Sequence, residues 1–355
     1  MKFSDLVAHL SPEAHSLTSH PEINPDITVI VPIEASNNPT SALSLSYIEG
    51  DKYKKMVTET TASALILPLD QELQAEATER GIAWLSSSYP RLIFAKTLNL
   101  FYQPYKPSPQ IHLSALLADG VIVGENVSIG ANVVIEKGVK IGDDVCIHPN
   151  VVIYPDCIIG NGTVLHSNCT IHERTQIGAN CVIHSGAVVG AEGFGFVPIP
   201  DGWYKMPQTG CVILEDGVEI GCNSTIDRPA IGDTRLGKNT KLDNLVHIGH
   251  NCQIGANCAF AGQVGLAGGV KIGNRVILAG QVGIANQAVI GDGATATAQT
   301  GITHNVKAGD VVSGTPSLPH HLYLKVSAMT KYFPEMYKFF RQLEKGQREK
   351  GKVKS

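Results

Sequence analysis

Within the nine residues 243–251 stand an acid, two amides and two histidines: Asp243, Asn244, His247, His250 and Asn251. Neutral imidazole accepts a proton near neutral pH, and a carboxylate can orient it. His250 with Asp243, seven residues earlier, therefore has the composition of a general base and its partner. The plain alternative is a solvated surface histidine. Two imidazoles are too few to hold a structural metal, so no metal is expected here.

What must position these residues is a repeat of six. An aliphatic residue occupies every sixth position from Ile111 to Val189, again at Leu214, Ile220 and Ile226, and again from Leu236 to Ile302, where Phe260 and Ala296 substitute. Six is no multiple of the helical 3.6, but it fits one short strand plus one corner, three of which close a triangular coil. The position four residues after each aliphatic one also points inward, with less room. It holds valines and Cys157, Cys169, Cys181, Cys252 and Cys258, which read as small core residues rather than disulfides or metal ligands. Glycine often follows the aliphatic residue directly, as at Gly130, Gly142, Gly160 and Gly255, and is expected to turn the corner. His250 stands two places after the inward Ile248, hence outside, near a corner. Columns repeat every 18 residues, which puts His250, Gly268, Asn286 and His304 in line. Coil spacing separates His250 from His304 by roughly 14 Å, too far to share a metal.

Two breaks interrupt the phase, at 190–213 and 227–235, and are expected to be loops leaving the prism, where binding residues belong. Residues 1–106 lack the hexad. They read as a small α/β unit with strands at 28–34 and 64–67 and helices at 70–80 and 90–102, followed by the proline-marked linker Pro104, Pro107 and Pro109. The prism is expected over 107–318. From 319 a tail reads as two helices, 322–330 and 334–350. Its residues 320–355 carry nine Lys/Arg against three Glu, on a chain of formal net charge −4. That balance gives no reason to expect nucleic acid. No transmembrane run or signal peptide is legible, so a cytoplasmic protein is expected. Stacked coils expose apolar and ladder surface, which favours a closed symmetric assembly.

The motifs Gly190-Ala-Glu-Gly-Phe-Gly-Phe196, Gly202-Trp-Tyr-Lys-Met-Pro-Gln-Thr-Gly210, Ser224-Thr-Ile-Asp-Arg228, Asp243-Asn244 and His247-Ile-Gly-His-Asn251, in this order of domains, resemble the UDP-3-O-acylglucosamine N-acyltransferases of the lipid A pathway. Spacing leaves handedness open, and general rules favour right-handed crossovers. The resemblance implies a mainly β fold, a left-handed parallel β-helix with a small N-terminal α/β domain and a C-terminal helical tail. It also implies a homotrimer, no cofactor, and transfer of a hydroxyacyl chain from acyl carrier protein to the 2-amino group of a UDP-linked, 3-O-acylated glucosamine. On this resemblance His250 is the base, Asp243 its partner and the Gly268 N–H the oxyanion donor. Asn244, His247 and Gln287 are expected at the substrate, Tyr47 and Tyr53 at the uracil, and Lys52 near phosphate. The sequence departs from the family at Gly50-Asp-Lys-Tyr53, commonly Asn-Pro-Lys-Tyr, and at Gln287, where the family has histidine. Those departures motivate a rival: an acyltransferase for another UDP-amino sugar or a shorter donor. A third reading, of another class, is a non-catalytic nucleotide-binding or scaffold paralogue.

Overall fold

In the computed structural model, each hexad becomes a two-residue strand whose second residue is the aliphatic one, as in Val152–Ile153 and Thr170–Ile171. Successive coils pair in parallel at a register of 18 residues, so Ile141 faces Ile159 and Ile159 faces Ile177. Three parallel sheets of nine, ten and ten strands form the faces of a left-handed β-helix. One continuous core of inward side chains runs along it from Val127 to Val306. The five cysteines assigned to the small inward position are all buried in that core. Burial pushes the Cys157 and Cys169 thiols up to about 12. The structure describes residues 1–10, 18–19, 23–33, 43–314 and 320–352. The expected boundary at 318/319 and the end of the expected first strand, at Glu34, lie outside them.

The corners correct one sequence expectation. The left-handed backbone sits three residues after the aliphatic position, at Asn132 (φ 57°), Asn150 (63°), Asn168 (66°) and Asn257 (57°), or at glycine such as Gly162. Asparagine tolerates this region because its short side chain bonds locally. Here the amides also ladder between coils, Asn239 Nδ2 donating to Asn257 Oδ1 at 3.0 Å. The glycine directly after the aliphatic residue serves a different purpose. A Cβ on Gly255 would stand 2.6 Å from the backbone C and O of Gly273 in the next coil. Its lack of a side chain lets the coils close; it is not there to turn.

The chain divides into two compact units, 1–106 and 107–355. The first contains a five-stranded sheet ordered Thr18–Ser19, Ala83–Ser86, Ala64–Leu67, Ser44–Tyr47 and Val29–Ile30, parallel except for the first pair. Helices Gln71–Glu79 and Pro90–Phe101 lie where expected, the former capped by Asp70. Helix Phe3–Leu10 and strands Ser44–Tyr47 and Ala83–Ser86 were not anticipated; each is too short for its periodicity to register. Helices His320–Thr330 and Phe333–Lys352 end the chain. Among the described residues, no helix is long and apolar enough to cross a membrane.

Coil stacking predicts a contrast between two glycines. Gly255→Ala should destabilise the prism by about 1–3 kcal/mol, since backbone, not a mobile side chain, must give way. Gly301→Ala should cost far less, because a Cβ there meets nothing within 4 Å. Denaturant unfolding of both variants checks this, and equal losses would refute the close-approach account.

Candidate active site around His250

His247–Ile248 is one rung of the sheet that also contains Thr225–Arg228, Gly265–Leu266 and Gly283–Ile284. Ile248 is fully buried, which fixes the phase and turns His250 outward at the next corner, half-buried. Asn251 then takes the left-handed corner conformation, with φ 61°. Its amide Nδ2 donates to the Ile231 carbonyl at 3.1 Å, so its Oδ1 is left as an acceptor. That oxygen lies 3.1 Å from His250 Nδ1. The partner's chemistry therefore assigns the proton to Nδ1 and leaves Nε2 as the basic nitrogen. Asn251 was noted in the sequence cluster but not assigned a role at the site. Its signal was adjacency to His250 combined with a corner position.

The imidazole lies over Gly268, one coil on. A Cβ at Gly268 would be 2.6 Å from His250 Cε1 and 2.8 Å from Nε2, so any other residue there would displace the ring. At some other corners the amide at this place in the hexad is capped by a side chain of the next coil: Glu125 by Asp143 at 2.8 Å, Ala179 by Asp216 at 2.9 Å, Ala256 by Asn274 at 2.9 Å. Among the described residues, the Gly268 N–H has no protein acceptor. A basic nitrogen and a free amide donor thus stand side by side. Gln287, in the following coil, donates its own N–H to the Gly268 carbonyl at 3.0 Å and is exposed beside Gly269. Beyond His247 the outward positions of the same sheet are Gly265, Gly283 and Gly301, where a Cβ would meet nothing within 4 Å. The result is an open strip along the prism next to His250.

The two phase breaks are one structure. The first leaves the coil after the strand Val188–Glu192, forms the exposed hairpin Phe196–Ile199 with Gly202–Lys205, and returns at Cys211–Leu214. The second is only a tight link between the longer strands Thr225–Arg228 and Asp233–Leu236, so Asp227 and Arg228 stay buried in the prism and do not loop out as expected. The amides of Thr209 and Gly210 donate to the carbonyls of Ala230 and Pro229, at 3.1 and 2.8 Å, and join the two. Asp227 is a carboxylate the sequence reading did not place. It lies 3.7 Å from His247 Nε2, and burial pushes its carboxyl up while His247 and His250 pull it back. Cys252, behind the site, donates to the Ala267 carbonyl at 3.3 Å, and burial pushes its thiol up to about 11.

The structure brings His247, His250, Gly268 and Gln287 together. It does not bring Asp243 to His250 within one chain. Asp243 follows the strand Lys241–Leu242 of a different sheet, and its Oδ1 accepts its neighbour Asn244's N–H at 2.7 Å. Asn244 Oδ1 accepts the Cys222 N–H at 2.7 Å, the same coil-to-coil cap seen at other corners. Both line a groove of about 780 Å³ with His184, Glu219, Lys241 and Ile277. In the first unit, Tyr47 ends the strand Ser44–Tyr47 and stacks on Phe94, centroids 4.2 Å apart. Tyr53 lies in the 3-10 helix Asp51–Val57, with Lys52 Nζ 5.1 Å above its ring. Gly50 precedes that helix at φ 86°, ψ 152°, a conformation that favours glycine.

Residues 26–100 match the family model described as UDP-3-O-(3-hydroxymyristoyl) glucosamine N-acyltransferase, LpxD, and four stretches within 120–191 and 233–268 match the bacterial transferase hexapeptide model. A UDP-3-O-acylglucosamine N-acyltransferase of Gloeothece citriformis is 62% identical over 97% of this chain and 98% of its own length. One of Microcystis aeruginosa is 64% identical over 97% and 100%. Among solved structures, an Arabidopsis UDP-N-acetylglucosamine acyltransferase superposes with a TM-score of 0.54 at 24% identity, over 58% of this chain and 71% of that one, which supports the fold alone. With identity sustained over nearly its entire length, the chain belongs to the UDP-3-O-acylglucosamine N-acyltransferase family.

Proposed function

We propose that the chain transfers an acyl group from acyl carrier protein to the 2-amino group of UDP-3-O-acylglucosamine, with His250 as general base. The observation that carries this reading is the His250 imidazole, basic at Nε2, lying over Gly268 and its free amide. The amine nitrogen attacks the thioester carbonyl. The C–N bond forms, the C–S bond breaks, and the amine proton passes through Nε2 to the leaving sulfur. Oxyanion charge develops against the Gly268 N–H. The amine is itself a sufficient nucleophile, and Cys252, inward and with its thiol pKa raised, is not suited to replace it. The bare strip at Gly265, Gly283 and Gly301 gives an acyl chain a flat bed beside the base. His247 and Gln287 serve the substrate around it, Asn244 reaches it only from a neighbouring copy, and Tyr47, Tyr53 and Lys52 in the first unit serve the uridine and its phosphates. The carrier substrate makes the cytoplasm the compartment of this reading.

His250→Ala should lower kcat by about 10²–10⁴ and leave nucleotide affinity nearly intact. Steady-state kinetics with UDP titration checks this, and a near-normal kcat would remove His250 as base.

Because Asp243 and His250 follow different sheets, their pairing requires Asp243 from a neighbouring copy, in a homotrimer packed prism to prism. There the carboxylate would take over the Nδ1–H from Asn251. Mixed assemblies of His250→Ala and Asp243→Ala chains should then regain activity, since some sites receive both intact residues. No regain, or a monomer by light scattering, would refute the pairing across copies.

The basic tail is read as the dock for the acidic carrier. Lys338→Glu with Arg341→Glu should raise KM for the carrier and weaken its salt dependence. An unchanged KM would leave the tail without that role.

A further inference from the structure

Arg228 is the best-buried cation in the described prism, its side chain only 7% exposed. A buried charge costs several kcal/mol unless it is fully paired, so its partners indicate what it holds. Nε donates to the Gln208 carbonyl at 2.9 Å, and Nη1 to the Gly190 carbonyl at 2.6 Å. The two outer nitrogens meet Glu173 as a fork, at 3.2 and 2.9 Å, and Nη2 lies 3.6 Å from Glu192. Gly190 and Gln208 are the two ends of the first excursion, and Glu173 belongs to the coil before it. One planar guanidinium thus ties the departure and the return of the hairpin segment to the prism, a task that needs several rigidly directed donors.

The backbone of Arg228 completes the connection. Its carbonyl accepts the Gly193 N–H at 3.1 Å. A Cβ on Gly193 would stand 2.7 Å from His250 Cβ and 2.9 Å from the Arg228 carbonyl oxygen. The excursion therefore presses a bare glycine backbone against the root of the His250 side chain. We propose that Arg228 is a positioning residue, which clamps the 190–208 excursion so that Gly193 holds the His250 imidazole in register over Gly268. This rests on the reading of His250 as base. Arg228 does not touch the reacting atoms in this scheme; it acts through Gly193.

Arg228→Lys keeps the charge and loses the fork. It should lower kcat by at least about tenfold at saturating substrates with KM for the UDP-sugar little changed, since displacing a base by an ångström is enough for such losses. Gly193→Ala should do the same while leaving the clamp's charges untouched, and it carries the test alone should Arg228→Lys fail to fold. If the two act through one contact, the double variant should be no slower than the slower single. Hydrogen exchange read by mass spectrometry should quicken in Arg228→Lys across residues 190–210 and stay unchanged across 252–266. A normal kcat in either variant, losses that multiply in the double, or unaltered exchange at 190–210 would overturn the proposal. His250→Ala run in parallel separates the two ideas: full activity there defeats the base, whereas an inactive His250→Ala beside a fully active Arg228→Lys defeats only the clamp.

Discussion

Every coil of the prism must settle on the coil below at strand spacing, and the backbone at the corners has no room to spare. That constraint sets the places where side chains are forbidden. Gly160 and Gly255 would each put a Cβ within 2.6 Å of backbone in the next coil. It also sets the places where the chain must enter the left-handed region, and there asparagine recurs because it tolerates φ near 60° and can bond to the coil beneath. The geometry at the candidate site is a local variation on this rule. At Gly268 the corner column has no side chain of its own, so the His250 ring can lie where packing would otherwise exclude it.

The same ladder explains why an amide is free at the site. At several other corners the outward N–H after the aliphatic residue is capped by Asp or Asn of the following coil, and Asn244 is one of these caps, on Cys222. Where a cap is missing, the fold leaves a directed donor exposed without further strain. A scaffold made of repeated rungs thus opens the candidate site by omission: no side chain at Gly268, and no outward side chains at Gly265, Gly283 and Gly301. The imidazole then needs only its neighbours. Asn251 fixes its tautomer, and the excursion held by Arg228 limits where it can swing.

Much of this was legible in the chain itself. The hexad fixed the strands, the inward columns and the outward placement of His250, because a period of six has a single sensible solution in a parallel ladder. Column arithmetic put Gly268 beside His250 for the same reason, and the buried cysteines followed from their phase. In the first unit, the helices Gln71–Glu79 and Pro90–Phe101 fall within the expected spans 70–80 and 90–102. The resemblance supplied the handedness, which spacing leaves open and which runs against the general preference for right-handed crossovers.

What the sequence could not decide is what lies around a corner or across a break in phase. Seven residues between Asp243 and His250 look adjacent in sequence, but one corner intervenes and puts them on different sheets. The breaks at 190–213 and 227–235 look like two loops, yet one is a hairpin, the other a tight strand link, and their backbones are bonded to each other. The roles of Arg228 and Asp227 emerge only there, because their partners come from residues up to 55 positions away and no local pattern encodes such a meeting. Periodicity determined which side of the prism each residue faces; only the closed coil decided which residues face one another, because contact depends on three-dimensional return and not on spacing along the chain.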